Sequence, residues 1–306
     1  MPGQDIIVIG TSAGGVEALQ TVVAGFPADL PAAVFIVLHI GDHRSILPAI
    51  LSKAGPLPVI HPSSGEAIVK GKIYVAPPDC HLLLEPDHVR LSQGPKENRA
   101  RPAVNPLFRS AAFAYGSRVT GVILTGGLDD GTAGLAEIKR QGGIAVVQDP
   151  ETAYAPSMPQ NAIRYVDVDH VVSLTAMANL LVRLAVSRDE ETKPMKEEVL
   201  EKVFSGLTCP ECRGPLWKES QGRIVEYRCR VGHAYSPLAM AQEHQETVER
   251  TLWSALVALE EAADISEKLT VEPDSSYAKQ ARTTRVQIDV IKTVLNELTA
   301  ERQFYL

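Results

Sequence analysis

The chain is short of cysteine, of long apolar runs and of concentrated positive charge, and each shortage excludes something. It has 306 residues and four cysteines; Cys80 stands alone and the other three fall within 21 residues, a poor framework for disulfides. Its longest apolar run, Ala32 to Leu38, is far below the roughly 20 residues needed to span a bilayer. The N-terminus, Met1-Pro2-Gly3-Gln4-Asp5, has no basic region ahead of an apolar one, so nothing reads as a leader. A formal net charge of -7 and the lack of a dense Lys/Arg cluster argue against a nucleic-acid partner. Neither a three-glycine dinucleotide fingerprint nor the Lys-Ser/Thr pair of a P-loop occurs. The expectation is a cytoplasmic protein without membrane insertion.

What is present is ordinary globular composition, 45% hydrophobic and 22% charged, at a length that suits about two domains. Apolar runs alternate with helix-like segments as far as about residue 187. Strands are expected at Ile6–Ile9, Ala33–His39, Lys72–Ala76, Val119–Leu124 and Gly143–Val147, most of them unbroken apolar stretches as in parallel sheets buried on both faces. Helices are expected at Val16–Phe26, Asn105–Tyr115, Thr132–Gln141 and Leu174–Val186. A side hairpin is expected at His81–Leu84 and His88–Leu91 around the turn Glu85-Pro86-Asp87. The alternation specifies an α/β domain with a doubly wound, mostly parallel sheet.

The chemistry begins where Ile6-Ile7-Val8-Ile9 breaks into Gly10-Thr11-Ser12-Ala13-Gly14-Gly15. Gly10-x-Ser12-x-Gly14 has the form of a nucleophile elbow, in which small neighbours permit a sharp reversal that exposes the serine at a strand end. The same glycines also suit a simple packing turn or a phosphate cradle. A serine needs a base, and the base needs a group that fixes its tautomer. His39 ends the next strand, and Asp129 and Asp130 follow Thr125 just past another, so all three groups reach one sheet edge. Taken singly, His39 reads equally as a strand-end histidine bonded to backbone, and the aspartates as turn formers or helix caps.

In order along the chain, Gly10-Thr-Ser12-Ala-Gly14-Gly15, Val37-Leu38-His39, Glu97-Asn98-Arg99-x-Arg101-Pro102, Val122-Ile-Leu-Thr125-Gly126-x-x-x-Asp130-Gly131 and Pro156-Ser157-Met158-Pro159 resemble the catalytic domain of CheB-type chemotaxis protein-glutamate methylesterases. The resemblance covers about residues 4–186. It implies that Ser12 is the nucleophile, His39 the general base and then acid, and Asp130 the orienting carboxylate. It further implies hydrolysis of glutamate methyl esters on chemoreceptors or related signalling proteins, release of methanol, and in some members deamidation of receptor glutamines. No cofactor is implied for catalysis. The backbone amide of Ala13, and one from Gly126–Leu128, are candidate oxyanion donors. Members commonly carry threonine and methionine where this chain has Ala13 and Gly127. They also commonly carry an N-terminal receiver domain, whereas this chain starts at the esterase's first strand, so control by phosphorylation in cis is not expected. A catalytically idle adaptor is the alternative reading.

Beyond a charged stretch placed at 188–207 as a linker, Cys209-x2-Cys212, sixteen residues, then Cys229-x3-His233 offers three thiolates and an imidazole at zinc-like spacing. A structural zinc in a ribbon-like segment, 208–236, is expected, with Trp217 and Tyr227 covering it. The remainder, 237–306, reads as a helical hairpin or coiled-coil tail. Val248, Leu252, Ala255, Leu259, Ala262 and Leu269 form one expected seam, with Ser266 its weak member. Tyr277, Ala281, Thr284, Ile288, Ile291, Leu295 and Leu298 form the other. Such seams suit self-association or an ordinary helical pair.

Overall fold

A computed structural model describes residues 5–40, 44–186 and 199–302. Its elements, in chain order, are β1 (Ile6–Thr11), α1 (Gly15–Ala24), β2 (Ala33–Leu38), α2 (Leu47–Ala54), β3 (Val59–Ile60), β4 (Ile73–Val75), β5 (His81–Glu85) and β6 (His88–Ser92). Next come α3 (Val104–Tyr115), β7 (Val119–Ile123), α4 (Thr132–Arg140), β8 (Ile144–Gln148), α5 (Ser157–Tyr165), β9 (His170–Val172) and α6 (Leu174–Val186). The rest of the chain forms β10 (Glu201–Thr208), β11 (Pro215–Gln221), β12 (Ile224–Cys229), β13 (Ala234–Tyr235), α7 (Pro237–Lys268) and α8 (Ser276–Arg302).

Seven strands form one sheet in the order β3-β4-β2-β1-β7-β8-β9, and every pairing in it is parallel. Because side chains alternate along a strand, β1 feeds two cores. Ile7 and Ile9 pack with Leu19, Val22 and Leu181 on one face, while Ile6 and Val8 pack with Leu107, Phe108 and Ile138 on the other. Burial on both faces accounts for the uninterrupted apolar runs that mark these strands in the sequence. The expected doubly wound α/β fold is therefore the one observed. The chain winds outward from β1 to β2 and then, after the β5–β6 hairpin, to the other side through β7, β8 and β9. A crevice opens beyond the strand ends at such a reversal, beside β1 and β7.

Four elements of this domain were not among those expected. β3 and β9 are edge strands of two and three residues, too short to show a period. α2 carries Pro48 in its first turn and α5 carries Pro159, and both punctuate otherwise helical segments. The charged residues 188–198 of the expected linker lie outside the described residues, but its end is structured. From Glu201 the chain enters β10, which starts a four-stranded antiparallel sheet, β10-β11-β12-β13.

Residues 1–240 form one compact unit, which includes that sheet, and 241–306 form a second. Within the second, α7 and α8 pair through Leu256, Ala263, Ile288 and Leu295, with ion pairs from Arg285 to Asp264 and Glu267 and from Lys292 to Glu260. The α8 seam is the expected one, save that Ala278 is buried and Tyr277 exposed. The α7 seam keeps the expected Leu252, Leu259 and Ser266, but the positions between them fall one residue later. Leu256 and Ala263 are buried in place of Ala255 and Ala262, and Val248 and Leu269 are exposed. The steps Leu252, Leu256, Leu259, Ala263, Ser266 keep the same four-and-three alternation while turning a leucine inward instead of an alanine.

Candidate active site

Ser12 lies in the turn between β1 and α1, half-buried, with its N–H donating to the Thr125 carbonyl at 3.0 Å and its carbonyl accepting the Gly15 N–H at 2.9 Å. Gly14 makes the reversal possible: its φ of 74° is left-handed, and a side chain there would collide with Tyr154. Thr125 clamps the turn from the neighbouring strand end. Its hydroxyl donates to the Ala13 carbonyl (2.9 Å) and accepts the Ala155 N–H (2.8 Å), while its own N–H is held by Gln148 Oε1 (2.9 Å). Gly126 follows, and a Cβ on it would stand 3.0 Å from the Ser12 Cβ and within the volume of Met158.

His39 is the residue after β2. Thr11 and Leu38 are partners in the parallel ladder, so Ser12 and His39 leave adjacent strands side by side, at the roughly 5 Å spacing of paired strands. The imidazole Nε2 of His39 is 2.8 Å from Asp130 Oδ2. The His39 side chain is 20% exposed and that of Asp130 only 3%, so one end of this pair is open and the other sealed.

Asp130 is surrounded by donors. Its carboxylate accepts the Asn98 Nδ2–H (3.0 Å) and the backbone N–H groups of Val104 (2.6 Å) and Asn105 (3.4 Å). Those two amides open α3, whose N-terminal dipole favours a negative charge. Burial by itself would push the Asp130 carboxyl up. The hydrogen bond and charge of His39, with the Val104 amide and Asn98, outweigh burial and hold it below the ordinary carboxylate value. Asn105 braces the same loop, its Oδ1 accepting the N–H groups of Gly131 (3.1 Å) and Gly134 (2.8 Å).

Asp129 has different surroundings. Its carbonyl accepts the Thr132 N–H in the turn that leads to α4, and its carboxylate accepts the Ser236 hydroxyl at 2.6 Å. Burial, with the like charges of Asp130 and Glu226, pushes its pKa up to about 6 despite that hydrogen bond. Asn98, Asn105, Thr125 and Gln148 hold this site together, and sequence reasoning gave them no role. Asn98 and Thr125 stand inside the motifs that carry the resemblance, whereas Asn105 and Gln148 had no signal beyond their places at a helix start and a strand end.

Cys209, Cys212, Cys229 and His233 converge, their four ligand atoms all within 4.8 Å of one another. Cys212 Sγ is 3.6 Å from Cys229 Sγ, and His233 Nδ1 is 3.5 Å from Cys229 Sγ and 3.7 Å from Cys209 Sγ. Ligands about 2.0–2.3 Å from one tetrahedral zinc would stand about 3.3–3.8 Å apart, which these three of the six separations match. Leu216, Tyr235 and Met240 are buried around the cluster, with Tyr227 packed against it, and Cys80 lies elsewhere. Trp217 instead packs edge-on against Phe204 of β10. Among the described residues no helix is long and apolar enough to cross a membrane.

Comparison with known proteins matches this architecture. The Thermotoga maritima CheB methylesterase catalytic domain superposes with a TM-score of 0.57 at 32% identity, covering 60% of this chain and 99% of that one. A relative from Leptospira interrogans is 42% identical over 182 residues, 59% of this chain and 94% of its own. Proteins named protein-glutamate methylesterase/protein-glutamine glutaminase from Methanosarcina mazei and Anaeromyxobacter dehalogenans are 37% and 39% identical. Those matches cover 59% and 58% of this chain but 52% and 51% of the relatives, so the chain spans about half the length of each. The family profile described as CheB methylesterase matches residues 7–181. With that profile spanning more than half of its length, the chain belongs to the CheB methylesterase family.

Proposed function

We propose that the chain hydrolyses methyl esters of glutamate side chains on chemoreceptors or related signalling proteins, through Ser12, His39 and Asp130. The observation that carries the reading is the 2.8 Å contact between His39 and the sealed carboxylate of Asp130, at a strand end beside Ser12. With Nε2 committed to Asp130, Nδ1 is the ring nitrogen left to take the Ser12 proton, the reverse of the chymotrypsin arrangement. Asp130 then fixes the tautomer and stabilises the imidazolium as it forms.

In this mechanism Ser12 Oγ bonds to the ester carbonyl carbon as its proton passes to His39, and the carbonyl π electrons move to oxygen. The Ala13 amide, following the nucleophile, is the proposed oxyanion donor; the Gly126 amide already donates to Ala155 at 2.9 Å and takes no part. Collapse breaks the C–OCH3 bond, and methanol leaves with the proton held by His39. Water then attacks the acyl-enzyme with His39 as base, restoring Ser12 and yielding glutamate. A glutamine side chain entering the same path would release ammonia, in keeping with the names of the relatives.

The Cys209, Cys212, Cys229 and His233 set would hold one structural zinc, which closes its coordination sphere and supplies folding energy to a small segment. Self-association through α7 and α8 belongs to the same proposal, supported by Val286, Val290 and Val294, which remain exposed at four-residue steps along α8. A cytoplasmic location agrees with four unpaired cysteines. Methanol release from methylated receptor membranes, with wild type beside Ser12→Ala, tests the catalytic reading. Loss of release in the variant is expected; wild-type release from it would remove Ser12 as the nucleophile, and no release by the wild type would leave the adaptor alternative in its place.

A further inference from the structure

The Cys/His segment docks on the loop that holds the catalytic carboxylate. His233, the fourth ligand of the cluster, is followed by Ala234, whose carbonyl accepts the Asn98 N–H at 2.8 Å and whose N–H donates to the Lys96 carbonyl at 3.4 Å. Two residues on, the Ser236 N–H donates to Asn98 Oδ1 at 2.8 Å. That bond fixes the orientation of the Asn98 amide, because with the oxygen engaged by Ser236 the NH2 group is directed to Asp130 Oδ1, 3.0 Å away. Asp130 Oδ2 is the atom bonded to His39. A continuous path of three hydrogen bonds therefore leads from Ser236, three residues past a cluster ligand, to the base of the proposed triad.

Other features of the joint support the path. Asn98 and Arg99 have φ values of 46° and 69°; asparagine enters this left-handed region readily, whereas an arginine keeps it only where surroundings impose it. Ser236 also caps α7, its hydroxyl accepting the Ala239 N–H at 3.0 Å while donating to Asp129. Arg109 of α3 lies between Glu97 and Glu226 of β12, so ion pairs tie the second sheet to the helix whose N-terminus faces Asp130. The turn at Gly232, φ 112°, lies against Pro95 at the start of the same loop. A cavity of about 140 Å³ lined by Asp129, Thr132, Glu226 and Ser236 leaves this joint partly unfilled.

We propose that the cluster is a positioning device for catalysis: a metal ion bound by Cys209, Cys212, Cys229 and His233 holds Ala234 and Ser236 against the Asn98 loop, and its loss lowers turnover by releasing Asn98 from Asp130. Asn98 and Ser236 are positioning residues, since neither meets the reacting atoms. The inference rests on the reading of Ser12, His39 and Asp130 as the triad. It makes the esterase chemistry of this chain dependent on a segment outside the region matched by the family profile, 7–181.

The test uses the full chain with a small activated ester and three readouts: metal content, kcat against KM, and the low-field N–H proton resonance of the His39 imidazole. Chelation or Cys212→Ser is expected to remove the metal, lower kcat by about tenfold or more with KM changed by less than about twofold, and shift or broaden the His39 resonance. Asn98→Ala is expected to reproduce the fall in kcat and to abolish the response to chelation, because two steps on one path are not additive. Where metal removal unfolds the chain, Ser236→Pro carries the test. It keeps all four ligands but deletes the N–H to Asn98 and the hydroxyl to Asp129, and it should retain metal while losing turnover and shifting the resonance. Wild-type kcat with an unmoved resonance in the metal-free or Ser236→Pro protein overturns the proposal, as do additive effects of chelation and Asn98→Ala. Failure of the catalytic reading is separable, since it shows as Ser12→Ala activity equal to wild type while the resonance still reports the path.

Discussion

Adjacent carboxylates of one loop face opposite electrostatic situations. Asp130 sits among Val104, Asn105, Asn98 and His39, all of which favour its charge; Asp129 sits buried beside Asp130 and Glu226, which oppose it. Asp130→Asn is expected to cost about 10³–10⁴ in kcat, because an amide at this position favours the wrong His39 tautomer, whereas Asp129→Asn is expected to stay within about tenfold of wild type. Comparison of kcat for the two variants checks this, and the reverse ranking contradicts it. The pH dependence of stability gives a second check. The Asp129 carboxyl, held at about 6 against an ordinary 3.8, is protonated in the folded chain over a range where the unfolded chain has lost its proton. Its charge therefore costs nothing below about pH 4, and the penalty grows as pH rises from about 4 to 6 and levels off above that, at about 3 kcal/mol. Asp129→Asn retains an oxygen for Ser236 and should raise the melting temperature at pH 7.5 relative to wild type, with the gain vanishing near pH 4. Equal shifts at both pH values would mean that charge is not what burial at Asp129 costs.

At the scale of elements, the site depends on how closely β1 and α3 approach. A Cβ on Gly10 would stand 2.3 Å from Val104 Cγ1, and Val104 supplies the amide that holds Asp130. Gly10→Ala should therefore lose about 1–3 kcal/mol of stability in urea unfolding, as overpacked cores do, and some turnover with it. The cluster, drawn from the β10–β11 connection, the end of β12 and the turn before β13, is expected to bind about one zinc per chain by elemental analysis, lost in Cys212→Ser. Legibility in the sequence follows the same physics. β1, β2, β7 and β8 are buried on both faces and announce themselves as apolar runs; β3 and β9 lie at sheet edges and are too short to do so. Ser12, His39 and Asp130 follow strands that could be recognised, so their common edge was readable. The part of Asn98 depends on Ser236, 138 residues away, and no local pattern records a contact of that range. Within the α7 seam, Leu252, Leu259 and Ser266 were readable, but Ala255 stood in for Leu256 because alanine and leucine both fit an apolar period, and only packing against α8 chooses Leu256.

The whole molecule joins a CheB methylesterase domain to a second sheet in one compact unit, with α7 leading from it into a helical pair. The sheet is joined to the domain by hydrogen bonds and ion pairs around Asn98, Asp129 and Arg109. The helical pair has its own core, so Leu295→Ala should weaken the tail, by about 2–5 kcal/mol, while leaving hydrolysis of a small ester unchanged. Paired measurements of tail helicity on heating and of kcat would separate the two. The central claim, that Ser12 attacks a glutamate methyl ester with His39 and Asp130 behind it, is tested most directly by counting methanol released from methylated receptor membranes. Wild type should release methanol catalytically, and Ser12→Ala should fall by about 10³-fold or more with its fold intact. Release by Ser12→Ala at the wild-type rate would contradict the account.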